Sequence, residues 1–226
     1  MKLASFDIFD TTLLRSCGKP EAVFHILAER LFPNDKDLRE AFVVWRKSTK
    51  GNTLEDVYDK IDSAFLTFAR KNKEDMMKAE EETEKDVLIA NPSVCKLIDQ
   101  RRKEGYNIAF ISDMYLNSQF LRKVLQRNGC CRQEDAIYVS CEHNARKDTG
   151  LLYKVVRNEL HPTEWIHYGD NKRSDIKMAK SKGIRAIHIN TFHNNAERAC
   201  SQVSTSMAEL ARQYRLRHKD NEFASF

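Results

Sequence analysis

No stretch of the 226-residue sequence approaches the roughly 18 consecutive apolar residues that a membrane-spanning helix requires. The amino terminus also lacks the apolar segment of a secretory signal peptide, because the carboxylate of Asp7 interrupts it. Internal repeats and low-complexity segments are absent as well. We therefore expect a cytoplasmic globular protein with no membrane partner.

The six cysteines include no Cys-x-x-Cys pair, and the adjacent residues Cys130 and Cys131 do not have the spacing of a zinc site. The sequence also has no concentrated basic stripe apart from residues 212–219, although its formal net charge is +5. We interpret that segment as the exposed face of a terminal helix, with a partner or nucleic acid contact as the alternative. Reduced thiols are expected, nucleic acid is not an expected partner, and composition does not indicate an oligomeric state.

Residues 3–6 form a short apolar run that ends at Asp7, which predicts a buried strand that carries a carboxylate at its end. From residue 19 to about residue 90 the pattern is helical and contains no convincing strand. Four helices are expected there. The first begins at Pro20 and the second covers residues 35–50. The third starts at the Thr53 capping box and has an apolar stripe that reaches Phe65, and the fourth covers residues 73–88. This pattern predicts a helical insertion.

Strands and helices alternate after Pro92. The expected strands cover residues 107–111, 136–140, 165–168 and 186–189, and helices at 118–128, 150–160 and 174–182 separate them. Such alternation predicts an α/β fold, a doubly wound parallel sheet with helices on both faces. The predicted domains are a catalytic core (1–16 and 91–191), an all-helical cap inserted after the first strand (17–90), and a C-terminal helix and tail (192–226).

Polar side chains follow the first four predicted strands, at the edge where a parallel sheet binds its ligands. These residues are Asp7, Asp10 and Thr11 after the first strand, Ser112 and Asp113 after the second, Lys147 after the third, and Asp170 and Asp175 after the fourth. Carboxylate oxygens suit Mg²⁺, whereas a lysine and a hydroxyl suit phosphoryl oxygens. The sequence therefore predicts a magnesium and phosphate site at this edge.

These residues resemble the four motifs of the haloacid dehalogenase superfamily, in order and over roughly residues 1–190. Residues 6–11 resemble the first motif, residues 110–113 the second, Lys147 the third, and residues 169–175 the fourth. The first motif also resembles a branch found beside bacterial surface-polysaccharide enzymes, which suggests a sugar phosphate as substrate. The resemblance implies a phosphatase-type hydrolase of a small phosphorylated metabolite.

The resemblance also implies roles for individual residues. Asp7 would be the nucleophile that forms an aspartyl-phosphate. Mg²⁺ would be held by Asp7, the backbone carbonyl of Phe9 and Asp170, with support from Asp175. The candidate substrate-binding residues are Thr11, Ser112, Asp113 and Lys147, and the candidate catalytic residues are Asp7, Asp10, Ser112 and Lys147.

Phe9 departs from the family pattern, in which phosphatases carry a second Asp that protonates the leaving group. Either Asp10 or Asp113 takes this role, or the natural leaving group needs little help. An aromatic residue here also occurs in dehalogenases, so a 2-haloacid dehalogenase is one alternative function. A catalytically weak phospho-ligand-binding or interaction module is the other.

Structural roles compete with several of these assignments. Thr11 is expected to hold its loop more than to touch substrate, and Asp113 is expected to cap a helix. The histidines have no ligand spacing and are expected to be structural or exposed. Arg15 and Arg46 are expected in surface ion pairs, and an aromatic group is expected in the cap core: Phe42, Trp45 and Tyr58.

Overall fold

The structure is a computed structural model that describes residues 1–18 and 20–190. The predicted C-terminal helix and tail, residues 192–226, lie outside the described residues. Among the described residues, no helix is both long enough and apolar enough to cross a membrane.

A five-stranded, all-parallel sheet forms the centre of the fold, with strand order β5-β4-β1-β6-β7. Its strands are β1 (Lys2–Phe6), β4 (Asn107–Ser112), β5 (Ala136–Val139), β6 (Glu164–Gly169) and β7 (Arg185–His188). All five predicted strands are confirmed to within one residue at each end. The first strand lies in the middle, so Asp7 leaves the sheet at its centre.

Alternating side chains of the strands enter two separate hydrophobic clusters. On β1, Ala4 and Phe6 face one cluster and Leu3 faces the other. Both sets are fully buried, which explains why the buried part of this strand is apolar apart from Ser5. Helices cover both faces, so the predicted doubly wound α/β fold is confirmed.

The helices that cover the sheet lie on defined sides. Helices α6 (Pro92–Lys103) and α7 (Ser118–Arg127) pack against the cluster that contains Phe6, whereas α9 (Leu151–Leu160) packs against the cluster that contains Leu3. The short α8 (Ser140–His143) follows β5. A π-helix (Lys172–Met178) continues into α10 (Ala179–Ser181). The predicted helix at 174–182 therefore begins two residues too late, because Asn171 caps the start by accepting from the Arg173 and Ser174 amides.

Five further helices precede α6 and have a hydrophobic cluster of their own. They are α1 (Ala22–Leu31), α2 (Lys36–Ser48), α3 (Leu54–Tyr58), α4 (Ser63–Ala69) and α5 (Lys73–Val87). The Thr53–Asp56 capping box is present, and Phe42 and Tyr58 are fully buried in the cluster with Trp45 against it, as expected. We call residues 16–87 the helical region; the exact domain boundaries remain a prediction.

Two sequence-based expectations about this region are wrong. A two-stranded antiparallel sheet, β2 (Leu13–Arg15) with β3 (Leu88–Ala90), joins the helical region to the core where no strand was expected. Strands of three residues are too short to show a period. The predicted third helix is also two helices, because Asp62 accepts from the Ala64 amide and starts α4 anew.

Arg15 and Arg46 are buried, contrary to the expected surface ion pairs, with 4% and 3% of their surfaces exposed. Arg15 pairs with Glu84 at 3.4 Å, and Arg46 donates to both carboxylate oxygens of Glu80 at 2.8 and 2.6 Å. These glutamates lie one turn apart on the inner face of α5. Because α5 has charged residues on all sides, its sequence does not show which face is buried.

Candidate active site

A cavity of about 340 Å³ lies beyond the carboxyl ends of β1, β4 and β6. Its lining includes most of the predicted site residues, which come from four separate loops. The lining residues are Asp7, Phe9, Asp10, Ser112, Asp113, Arg146, Lys147, Asp148, Asp170, Asn171, Arg173, Ser174 and Asp175.

Asp7 is held by its backbone at the centre of this cavity. Its amide donates to the Tyr168 carbonyl of β6 at 2.8 Å, and its carbonyl accepts the Thr12 hydroxyl at 2.6 Å. The residue is 6% exposed. These bonds leave the carboxylate directed at Lys147 and the cavity.

Lys147 bridges two carboxylates. Its ammonium contacts Asp7 Oδ1 and lies 2.6 Å from Asp175 Oδ1, and the residue is 3% exposed. Burial alone would lower the pKa of Lys147, but the charges of Asp7 and Asp175 outweigh burial and raise it. These two carboxylates therefore favour the charged form of Lys147, which lines the cavity.

Asp175 is completely buried, and both of its oxygens accept hydrogen bonds. Oδ1 faces Lys147 and, at 3.3 Å, His167 Nε2, whereas Oδ2 accepts the Asn171 amide at 3.0 Å. Burial opposes ionisation of Asp175, but the Lys147 charge and His167 lower its pKa below the usual range. Gly169 makes this packing possible, because a Cβ there would lie 2.4 Å from Asp175 Cγ.

A hydrogen-bonded chain behind Asp175 defines the proton position on His167. The Trp165 indole N–H, which is a donor only, donates to Ser5 Oγ at 2.7 Å, and Ser5 Oγ lies 2.8 Å from His167 Nδ1. Burial lowers the pKa of His167, so the ring is neutral. Because the ionised Asp175 can only accept, the ring proton lies on Nε2 and Ser5 donates to Nδ1.

Three carboxylates converge in the cavity. Oxygens of Asp7, Asp170 and Asp175 lie within 4.8 Å of one another. Three carboxylates against the single ammonium of Lys147 leave an excess of two negative charges. Burial and the neighbouring carboxylates accordingly raise the pKa of Asp7 well above its usual value and also raise that of Asp170. Hard oxygen donors with this excess charge fit a divalent cation such as Mg²⁺.

Phe9 and Asp10 form the wall beside Asp7. The Phe9 ring contacts both the core cluster and the cluster of the helical region, and the Arg15 guanidinium lies 4.6 Å from its centroid. Asp10 has a left-handed backbone with φ of 58°, a conformation that Asp tolerates better than most residues. Its carboxylate lies 3.7 Å from Arg15.

Asp113 holds a loop and does not cap a helix as expected. Its Oδ1 accepts the Lys147 amide at 2.8 Å, whereas Asn117 is the residue that caps α7. Ser112, at the end of β4, is buried and lines the cavity.

Thr11 is completely buried and does not line the cavity. Its hydroxyl donates to Asp170 Oδ1 at 3.2 Å, and its carbonyl accepts the Asn91 side chain at 2.9 Å. This position agrees with the expected loop-holding role and provides no contact to a substrate in the cavity.

Several site residues were not identified from the sequence. His167 is one, although a lone polar residue two positions before Gly169 on an apolar strand is a usable signal. Arg146 and Arg173 also line the cavity, and both are exposed. A surface arginine has no sequence pattern that distinguishes it from others, so these two required the structure.

No protein-family model and no curated relative matches the sequence. Solved structures do match. The HAD-family enzyme BT-2542 from Bacteroides thetaiotaomicron, solved with magnesium and inorganic phosphate, is 16% identical with a TM-score of 0.56, over 87% of this chain and 98% of that chain.

Two other structures have similar scores. YfnB from Bacillus subtilis, named as a HAD hydrolase and solved with magnesium, is 17% identical with a TM-score of 0.52, over 83% of this chain and 88% of that chain. The L-2-haloacid dehalogenase RSc1362 is 17% identical with a TM-score of 0.53, over 84% and 86%. With its central parallel sheet and its inserted helices, the chain therefore has the fold of the haloacid dehalogenase superfamily.

Proposed function

We propose that the protein is a Mg²⁺-dependent phosphohydrolase that acts on a small phosphorylated metabolite through an aspartyl-phosphate on Asp7. The convergence of Asp7, Lys147, Asp170 and Asp175 in one cavity carries this proposal. The similar BT-2542 structure, solved with magnesium and inorganic phosphate, supports it. A sugar phosphate is one candidate substrate. The cytoplasmic location and the lack of a nucleic acid partner stay predictions.

The residues of the cavity have different roles in phosphoryl transfer. Asp7 attacks phosphorus, while Lys147 and Ser112 bind oxygens of the transferring group. Asp7, Asp170 and the carbonyl of Phe9 would hold the metal, with Asp175 in support; bound Mg²⁺ supplies charge neutralisation between the nucleophile and the phosphoryl group. Asp175, fixed by His167 and the Asn171 amide, orients Lys147.

Phosphate release with and without Mg²⁺ tests the proposal. We expect the wild type to release phosphate from p-nitrophenyl phosphate or from a panel of sugar phosphates when Mg²⁺ is present, and Asp7→Asn to abolish this turnover. Asp148→Asn is the matched control, because Asp148 lies on the same cavity but pairs with Arg146. Turnover that survives in Asp7→Asn would contradict the proposal.

The aromatic side chain of Phe9 favours a second candidate function, that of a 2-haloacid dehalogenase. The similarity to RSc1362 also supports this function. Chloride release from 2-chloropropionate that is independent of Mg²⁺ would establish it. Tight Mg²⁺-dependent phosphate binding without turnover would instead indicate a binding module.

A further inference from the structure

A second cavity adjoins the one that contains Asp7. We call the first the Asp7 cavity and the second, of about 260 Å³, the side cavity. Asp113 and Arg146 line both of them, whereas Gly51 and Asn52 of the helical region line the side cavity. The side cavity is therefore a space between the core and the helical region into which the leaving group of a substrate bound at Asp7 can extend.

Two further cavities among the described residues are less directly connected to Asp7. One lies between Arg15, Phe24 and Arg46 and has no wall residue in common with the Asp7 cavity. The other lies along residues 50–60 and has Arg146 alone in common with it. The side cavity, with two shared residues, is thus the best-placed space for a leaving group.

The charges in the wall of the side cavity are already paired. Among the described residues, Asp113 and Arg146 are the charged ones that line it, and their side chains lie 3.8 Å apart. Arg146 also donates to both carboxylate oxygens of Asp148, at 3.1 and 3.2 Å. Arg173, the other exposed cation of the Asp7 cavity, does not line the side cavity. A second anionic group on a substrate would therefore meet no unpaired cation here and would face the carboxylate of Asp113.

The rest of the wall combines uncharged polar groups with apolar ones. The side chains of Asn52 and Asn144 make no hydrogen bond to another described residue. An amide side chain contains both donors and an acceptor, so it can bind a hydroxyl group in either direction. Met114 and the half-exposed Leu151 add apolar surface, which suits the carbon–hydrogen groups of the same ligand.

We infer that the side cavity binds the leaving group of the substrate, that this leaving group is an uncharged, hydroxylated alcohol, and that Asn52 and Asn144 determine the specificity for it. The substrate is accordingly a phosphomonoester of a polyol or sugar that carries no second anionic group. The volume of the cavity lies just below the range of about 300–1,000 Å³ for pockets that hold drug-sized ligands, so it fits a small alcohol. This inference rests on the proposed function and specifies the alcohol that is released.

Two matched substrate pairs test the selectivity against charge. Glycerol 3-phosphate and 3-phosphoglycerate differ in having a hydroxymethyl group or a carboxylate at one carbon, and so do glucose 1-phosphate and glucuronic acid 1-phosphate. With wild-type protein and saturating Mg²⁺, we expect kcat/KM for the neutral member to be at least about 10-fold higher in each pair that is turned over, because like charges placed together oppose binding. Asp7→Asn provides the blank.

Asn52→Lys tests whether the side cavity is the source of this selectivity. The added cation can pair with the substrate carboxylate, so we expect the preference for the neutral member to fall by about 10-fold or more. Asn158→Lys is the matched control, because Asn158 is exposed on α9, lines neither cavity and gains the same charge. Asn144→Lys repeats the test from the other wall, although the left-handed backbone there, with φ of 46°, makes it the more strained variant.

Asn52→Ala and Asn144→Gly test the hydroxyl contacts. Each should lower kcat/KM for glucose 1-phosphate by about 2–10-fold, as the loss of one hydrogen bond to an uncharged group implies. The kcat/KM for p-nitrophenyl phosphate, whose ring has no hydroxyl group, should stay within about 2-fold of the wild-type value because no such bond is lost. A general structural defect would lower both values together.

The outcomes separate this inference from the proposed function. Asp7-dependent turnover that is equal or faster for the charged member of each pair would overturn the inference alone, and so would turnover of p-nitrophenyl phosphate with none of the four hydroxylated esters. A preference that both lysine variants leave unchanged would show that the leaving group does not occupy the side cavity. Absence of phosphate release from every substrate would overturn the proposed function as well.

Discussion

Asp7 has two properties that disfavour its ionised form: it is almost fully buried, and it lies close to two other carboxylates. Both raise its pKa, although Lys147 opposes them. A carboxyl group whose pKa is raised on folding adds stability that is complete below its unfolded pKa, about 3.9, and is lost as pH rises through the folded value. At neutral pH, without metal, the ionised Asp7 therefore destabilises the fold.

Because the ionised Asp7 destabilises the metal-free fold, we predict that Asp7→Asn raises the Tm of the protein in EDTA at pH 7. A gain of about 1 kcal/mol corresponds to about 2–4 °C for a chain of this size. Excess Mg²⁺ should reverse the order, because a ligand that binds the native state stabilises the wild type more. Thermal unfolding of both proteins with EDTA and with Mg²⁺ measures the effect.

Asp148→Asn is the control for that measurement. The Arg146 side chain holds the pKa of Asp148 below its usual range, so the same substitution removes a favourable charge there. We expect no increase in Tm for this variant. A Tm in EDTA that is unchanged or lower for Asp7→Asn would contradict the electrostatic explanation.

His167 permits a second prediction at the level of one residue. His167→Leu leaves Ser5 and Asp175 each without one buried partner, which should lower the free energy of unfolding by about 1–3 kcal/mol at pH 7.5. His167→Gln retains a side-chain donor and should recover part of this loss. Urea unfolding at pH 7.5 gives the comparison.

The pH dependence of the His167 variants checks the assigned proton position. Because burial lowers the pKa of His167, its contribution is complete above the unfolded pKa, about 6.5, and is lost as pH falls toward the folded value. The stability difference between wild type and His167→Gln should therefore narrow at pH 5. A difference that grows at pH 5 would indicate that the buried ring is charged.

At the level of elements, the end of β6 depends on Gly169. Its Cβ would lie 2.4 Å from Asp175 Cγ, so we predict that Gly169→Ala displaces Asp175 and removes Mg²⁺-dependent stabilisation and turnover. Gly105→Ala is the control: it has a φ of +81° but open space around the new Cβ, and it should cost about 1–2 kcal/mol while keeping the response to Mg²⁺. A Mg²⁺ response in Gly169→Ala equal to that of the wild type would contradict this.

The charged face of α5 supplies another prediction. Arg46→Met leaves the buried Glu80 without its bidentate partner, and we expect it to lower the free energy of unfolding by about 3–5 kcal/mol. Lys36→Ala, which breaks the exposed Lys36–Glu40 pair, should change stability by less than about 0.5 kcal/mol. Chemical denaturation measures both, and equal effects would show that the buried pair contributes no more than a surface pair.

The sheet and most of the site could be predicted from the sequence for a physical reason. Strands buried on both faces are continuous apolar runs, and Asp7, Ser112 and Asp170 directly follow such runs. Pairings between distant segments could not be predicted. The β2–β3 sheet, the Arg46–Glu80 pair and the chain that reaches Asp175 through His167 each join residues whose proximity only the folded chain creates.

At the level of the whole molecule, the helical region and the core share side chains. Phe9, Met114 and Phe120 contact both hydrophobic clusters, Leu116 is buried in the cluster of the helical region, and the Tyr115 hydroxyl donates to Glu80 at 2.9 Å. The loop that follows Asp113 is thus part of the interior of the helical region. Unfolding of either part should therefore expose apolar side chains of the other part to solvent.

We predict that the two parts unfold in one transition. The chain has two tryptophans, Trp45 in α2 and Trp165 in β6, so Trp45→Phe and Trp165→Phe each leave a single fluorescent reporter. In each variant, the fluorescence and far-UV circular dichroism midpoints should coincide. Midpoints that differ by several degrees would show that the helical region unfolds independently.

The β2–β3 sheet determines how the chain leaves the core and returns to it. Arg15 is paired with Leu88 across the two strands, so the helical region begins and ends at almost the same point in space. An insert with adjacent ends places no tension on its host, because the distance that it must span does not depend on its length. Evolution or an engineer could therefore exchange this insert for a shorter or longer one, and so alter which molecules reach the carboxylates, without moving the strands that carry them.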